Sequence, residues 1–247
     1  MIREAWERLT SAGSSEALAH IEQILEDEPW SAVASSAFVL SASLESDLLN
    51  QWMHYSSSEG FAIGLNIDHV WAPKGRLARS NGNLNIGGPA RPGWYNVVYE
   101  RSAQLALADH ALKWLLTRWS LMPIPPQEHE AMPGTLTAKF VLDSLVLVMK
   151  HSAFRDEREV RFITGRSETE KDLVHYRAVG GRLVPYLAVA AIPNIAPTGT
   201  AIGLPIDAIV CGPGVTAGGL EIVRDMVTSS QGYPAVSQSS VPFAARR

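Results

Sequence analysis

Apolar residues spaced three and four apart open the chain, at Ile2, Trp6 and Leu9, then at Leu18, Ile21, Ile24 and Leu25. That spacing predicts amphipathic helices over residues 2–12 and 15–28, broken at Gly13 and closed by Pro29. Both read as helices on the outside of a core. Alternation of large and small or polar residues then predicts strands at AFVLSAS (37–43), EGFAIGLNI (59–67) and WYNVVYE (94–100). A short helix, LLNQWMHY, follows Asp47 between the first two strands, with Trp52 and Tyr55 three apart. Gly60 and Gly64 mark a bend or a close approach by another backbone. Residues 73–92 are rich in Gly, Asn, Pro and Arg and read as a long surface loop.

The second half is patterned more strongly. A Leu- and Ala-rich helix is predicted over 101–119, and a Pro-dense connector over 122–134, where regular helix is impossible. An apolar helix over 135–150 leads into strands at 158–164, 173–177 and 182–190, the last two joined as a hairpin by Gly180-Gly181. A buried strand (206–211), a helix (216–229) and a last strand (235–239) follow. This pattern predicts an α+β fold, with a single mixed, largely antiparallel sheet packed with helices. One domain over 1–247 is expected, with 1–30 as a helical N-terminal extension.

Composition narrows the classes. With 247 residues, 46% hydrophobic and 19% charged, the chain can bury a substantial core without staples. A net charge of −4 gives no global basic field, so nucleic acid is not the expected partner. Cys211 is the only cysteine, which excludes an intrachain disulfide and a cysteine-built zinc site. The opening residues do not form a secretory signal, and no apolar run approaches the roughly 20 residues of a membrane span. No membrane association is expected, and the chain reads as cytoplasmic.

The candidate chemistry centres on KHSAFRDEREVR, residues 150–161. In extended backbone Glu157, Glu159 and Arg161 would share one face. Such a face suits a carboxylate pair for acid/base or cation-stabilising work, with Arg161 orienting an anion. It equally suits an exposed strand edge charged against aggregation. In IVCGPGVTAGGL (209–220), Gly212, Gly214 and Ala217 fit a relaxed dinucleotide fingerprint, yet no acidic residue follows to take a ribose hydroxyl. A plain Gly-rich strand-to-helix turn is the favoured reading. The histidines show no metal-ligand spacing, so no metal is expected.

An ordered set of stretches resembles a known family: FVLSAS followed by D-L-L-x-Q-W-M-H-Y, GFAIGL, VVY, K-H-x-x-F-x-x-E-x-E-x-R, VPY, IVCGPG and VSQSSVPF. This set is similar to the bacterial family called domain of unknown function 2971, over residues 37–243. The strand and Asn-Asp-Pro motif that usually open that family are absent here. By layout the family looks like a distant relative of ADP-ribosyltransferase folds. The resemblance therefore implies an NAD-using transferase or glycohydrolase, as in toxins or phage-defence effectors. Glu159 would be the catalytic carboxylate and Glu157 its partner, with Ser41 and Ser43 on the ligand-positioning strand. Trp52, His54, Tyr55, Lys150 and Arg161 would complete the pocket, and NAD would be the substrate. The alternative is a non-catalytic module that binds a nucleotide or a protein in the same cleft, which the missing first strand favours.

Overall fold

The computed structural model describes residues 1–10, 37–56, 59–75, 93–120, 133–165, 168–192, 203–228 and 234–242, with isolated positions at 19, 22, 23 and 26. Its elements are α1 (Ile2–Thr10), β1 (Ala37–Ser43), α2 (Leu49–Tyr55), β2 (Phe61–Leu65), β3 (Val70–Pro73) and β4 (Gly93–Asn96). They continue with α3 (Arg101–Ser120), α4 (Pro133–Val148), β5 (Glu159–Gly165), β6 (Val174–Val179) and β7 (Arg182–Leu187), then β8 (Val189–Ile192), β9 (Ile206–Cys211), α5 (Ala217–Thr228) and β10 (Ala235–Gln238). The chain is α+β, as its patterning predicts. The expected helix over 15–28 and the connector over 122–134 lie almost wholly outside the described residues, as does most of the 73–92 loop.

The chain divides into two compact units. The first comprises Met1–Leu40, Ile86–Arg155 and Arg161–Thr169, and the second Ser41–Asn85, Asp156–Val160 and Glu170–Arg247.

The core of the first unit is built by three helices. Ile2, Ala5 and Trp6 of α1 pack with Ala108, Ala111, Leu112 and Leu115 of α3 and with Leu142 and Leu145 of α4. The α3 residues recur at helical spacing and form one stripe, which is why an otherwise undirected Leu/Ala-rich segment settles as a helix. Trp6 is only 3% exposed, and burying a side chain of that size stabilises by about 2–3 kcal/mol. An Arg8–Glu4 pair at 3.1 Å supports the outer face of α1, and the Thr10 hydroxyl donates to the Trp6 carbonyl (3.1 Å) at its end. Trp94 and Phe162 add an aromatic contact, with ring centroids 5.7 Å apart.

In the second unit, β9 lies between β10 and β2. It pairs antiparallel with β2, Ile63 opposite Ile209, and parallel with β10, Val236 opposite Ile209. The parallel neighbours β9 and β10 are linked through α5, as a parallel pair requires. Gly64 shows the close approach its sequence suggests: a Cβ there would lie 3.0 Å from Ala208 Cβ, beside an irregularity in the β2–β9 register. In the β6–β7 hairpin, Gly180 (φ 55°) and Gly181 (φ 77°) both occupy the left-handed region, as a tight two-residue turn demands.

Two expectations are corrected. The described strands form four small sheets (β1-β5-β4, β10-β9-β2, β3-β8 and β6-β7) instead of one. Strand periodicity marks which residues are extended but not which strands pair, and strands of four to seven residues carry too little register information to fix partners. The predicted strand 182–190 is two strands, because β7 pairs with β6 whereas β8 turns to pair with β3. β3, whose short Val-Trp-Ala-Pro run shows no clear alternation, was not legible as a strand.

Candidate functional site

A cleft that belongs wholly to the first unit grows out of one local arrangement. β4 ends at Asn96, and Val98 forms a parallel bridge with Met149 just past the end of α4. The Val98 N–H donates to the Val148 carbonyl (2.8 Å), and the Lys150 N–H donates to the Val98 carbonyl (3.2 Å). From the first turn of α3, the buried Gln104 amide donates to both the Val98 carbonyl (2.6 Å) and the Lys150 carbonyl (2.8 Å). These bonds fix Tyr99–Arg101 beside Lys150–Arg155. The space between is a cleft of about 710 Å³, within the range of small-molecule sites.

Its walls differ in character. Ile2, Val146 and Met149 supply apolar surface, while Arg101, Lys150, His151 and Arg155 supply nitrogen donors, with Ser152 among them. Three of those four are permanent cations at neutral pH, against one lining carboxylate, Glu100, among the described residues. Glu100 pairs with Arg155, and Arg101 pairs with Glu4 at 2.7 Å. Both pairs are solvent-exposed, so each is worth no more than about 1 kcal/mol. The Lys150 ammonium stands 4.8 Å from the centre of the Phe154 ring, a cation–π contact that restrains it. The Ala153 N–H donates to His151 Nδ1 (3.2 Å), which places the proton of the neutral imidazole on Nε2. The arrangement can hold an anion attached to an apolar body.

The residues singled out from the sequence are distributed as follows. Lys150 lines this cleft. Arg161 donates to the Leu147 carbonyl (2.6 Å), so its guanidinium ties β5 to the end of α4. Glu157 does not share a strand face with Glu159: it closes a 3₁₀ turn (Ser152–Glu157), and Arg158 then takes φ 45° before β5 begins. The left-handed residue breaks the two-residue alternation on which that expectation rested. Glu159 is buried at the start of β5. Ser41 is exposed, and the Ser43 hydroxyl donates to the Glu157 carbonyl (2.8 Å). His54 and Tyr55 are exposed on α2, where Trp52 is buried. His151, Arg155, Arg101 and Gln104 were not singled out, although the first two stand within the quoted run. The signal for His151 and Arg155 was three cationic or protonatable side chains in KHSAFR, whereas nothing local to Arg101 and Gln104 marks them.

The second unit holds a polar cluster around Asp47. Its Oδ1 accepts from Trp52 Nε1 (2.7 Å) and the Ser239 hydroxyl (2.6 Å), and its Oδ2 accepts from the Ser240 N–H (2.7 Å) and hydroxyl (2.9 Å). Burial pushes the carboxyl up, but the bonds from Ser239, Trp52 and Ser240 outweigh it and hold the pKa below the usual carboxylate value. With four donors already in place, this carboxylate is a structural anchor. The nearby Gly-rich turn is likewise spent internally. The Gly212 N–H donates to Gly60, the Gly212 carbonyl accepts from Gln238 Nε2 (2.6 Å), and Thr216 Oγ1 accepts from the Gly219 N–H at the start of α5 (3.2 Å). Burial also raises the pKa of the Cys211 thiol at the end of β9, consistent with a core residue.

The described elements define an α+β protein carrying a cation-lined cleft in its first unit. Residues 51–162 match the family model described as Protein of unknown function (DUF2971), which bears out the family assignment over that segment. The matched segment contains Tyr99 through Arg155, and Asp47 and Ser239 fall outside it. No curated protein and no solved structure matches the chain. Among the described residues, no helix is long and apolar enough to cross a membrane, and no group of three His, Cys, Asp or Glu is placed to hold a metal.

Proposed function

We propose that this chain is a binding module whose first-unit cleft takes a small anionic ligand, a nucleotide being the class that fits best. One observation carries the reading: Lys150, His151 and Arg155, from one short run, line the same cleft as Arg101 and the apolar side chains of Ile2, Val146 and Met149. A phosphate group would sit among the cations, and a base or other flat apolar body against the apolar lining residues. Turnover is not part of this reading, because Glu100, the one carboxylate lining the cleft among the described residues, is held by Arg155. The test is calorimetric titration of AMP, NAD and inorganic phosphate into the wild type and Lys150→Ala. Binding that weakens at least about tenfold in the variant supports the reading. Absence of binding by all three ligands overturns it.

A second reading, the NAD-using transferase or glycohydrolase implied by the family's layout, has one observation in its favour. Ser43 bonds the Glu157 carbonyl, which brings the S-x-S strand end to the E-x-E run. Its test is nicotinamide release from NAD by the wild type and Glu159→Gln. Release by the first and not the second supports it, and release by neither removes it.

A further inference from the structure

We propose that Glu100 is a built-in competitor for the cleft's anion, holding Arg155 until a phosphate monoester takes the guanidinium from it. This rests on the cleft being an anion-binding site and adds the ligand's class and the way it is admitted.

The argument starts from charge. Arg155 pairs with Glu100, and both side chains are 59% exposed. An exposed pair of this kind is weak and open to exchange. Glu100 and Arg155 both line the cleft, as does Lys150, so an incoming anion meets the carboxylate at the place it would occupy itself. A ligand bearing a single carboxylate brings only the charge that Glu100 already supplies, and exchange gains it little. A phosphate monoester carries a charge of about −1.5 to −2 at pH 7 and three acceptor oxygens. It can engage the Arg155 fork in a bidentate manner and still present an oxygen to Lys150 or to His151 Nε2–H. Only the more highly charged ligand therefore displaces Glu100 with a net gain. Arg101 takes no part in this exchange, because its partner Glu4 belongs to α1 and is not a lining residue.

The apolar wall sets the rest of the ligand. Val146, near the end of α4, is an exposed apolar side chain, and Met149 lines the cleft with it. Methionine adapts to flat aromatic surfaces, which favours an aryl or nucleoside body over a sugar phosphate.

The experiment uses phenyl phosphate and benzoate, which share a ring and differ in the anion. Each is titrated at low salt into the full chain and its Glu100→Gln, Arg155→Gln and doubly substituted variants. The pair is exposed, so the variants are expected to fold, and a thermal melt checks this. Phenyl phosphate should bind the wild type more tightly than benzoate does. Glu100→Gln should tighten phenyl phosphate about three- to fivefold, the release of a pair worth up to about 1 kcal/mol. Arg155→Gln should weaken binding, and in that background removing Glu100 should give no further gain. An equal gain from Glu100→Gln with and without Arg155 would mean a general field effect and would overturn the proposal. So would unchanged binding in Glu100→Gln, while leaving the anion-site reading intact. Failure of phenyl phosphate, AMP and inorganic phosphate alike to bind any variant removes both.

Discussion

The Asp47 carboxylate and the Ser239 hydroxyl, 192 positions apart in the chain, are joined by a 2.6 Å hydrogen bond. The same carboxylate takes three further donors, from Trp52 and Ser240. It thereby ties α2 to the segment leaving β10. Asp47→Asn keeps the shape but turns a donor toward the Ser240 N–H or hydroxyl. It should cost about 2–3 kcal/mol in a denaturant melt, the scale of bonds to a charged group plus a misdirected donor, whereas Ser239→Ala should cost about 1 kcal/mol.

The same anchor gives a pH dependence of known sign. The folded pKa of Asp47 is below the usual carboxylate value, so the folded state favours the ionised form. Its contribution is complete above the unfolded value and fades as pH falls through the lower folded value. In melts between pH 7 and pH 2, the gap between wild type and Asp47→Asn should narrow only below about pH 4. A gap that narrows near neutrality instead would show that another group controls it.

Gln104 is expected to couple stability to ligand binding. It is 4% exposed and bonds two carbonyls, those of Val98 and Lys150. Gln104→Leu keeps much of the volume but removes the amide donor from both carbonyls, leaving that of Val98 with only the Lys150 N–H, a loss of about 1–3 kcal/mol. Because the bond to Lys150 fixes one edge of the cleft, nucleotide affinity should fall as well. A stability loss with unchanged affinity would show that the cleft is held in place by the Val98–Met149 bridge alone.

Arg158 carries a backbone conformation that suits few residues. At φ 45° it leads into β5, and its guanidinium pairs with Glu45 on the surface. Arg158→Asn, which tolerates this region, should change the melting temperature little, since the exposed pair it loses is worth at most about 1 kcal/mol. Arg158→Val should destabilise by about 1–3 kcal/mol, because a β-branched side chain is strained there.

The Gly64–Ala208 approach offers a paired test. Gly64→Val should destabilise by about 1–3 kcal/mol through overlap with the Ala208 methyl, 3.0 Å from where its Cβ would stand. Ala208→Gly should recover part of that loss in the double variant. Additive effects of the two changes would show that the close approach is not the cause.

Local structure was largely legible in the sequence, whereas the site was legible only in part. β1 and β9 run over the residues their alternation marks, and α1 and α5 end within about two residues of theirs, because local period and turn chemistry decide such elements. The fingerprint-like Gly212 turn joins β9 to α5, as its strand–glycine–helix order suggested, and is bonded to Gly60 and Gln238. Lys150 was singled out, but the cleft around it depends on Val98 meeting Met149 and on Gln104 reaching Lys150, and no local pattern encodes those contacts. The E-x-E spacing misled for a local reason. Alternation holds only while every residue is extended, and Arg158 is not.

The Asp47 anchor also bears on the order in which the chain can fold as it is made. α2 and β2 leave the ribosome early, yet β2 pairs with β9, and three of the four donors to the Asp47 carboxylate come from Ser239 and Ser240. The segments of the second unit are interleaved with those of the first. Domains commonly fold one after another from the N-terminal end during synthesis, but here the early half of the second unit must wait for residues made almost two hundred positions later. In that interval the edge of β2 that will pair with β9 stands unpaired and open to other chains.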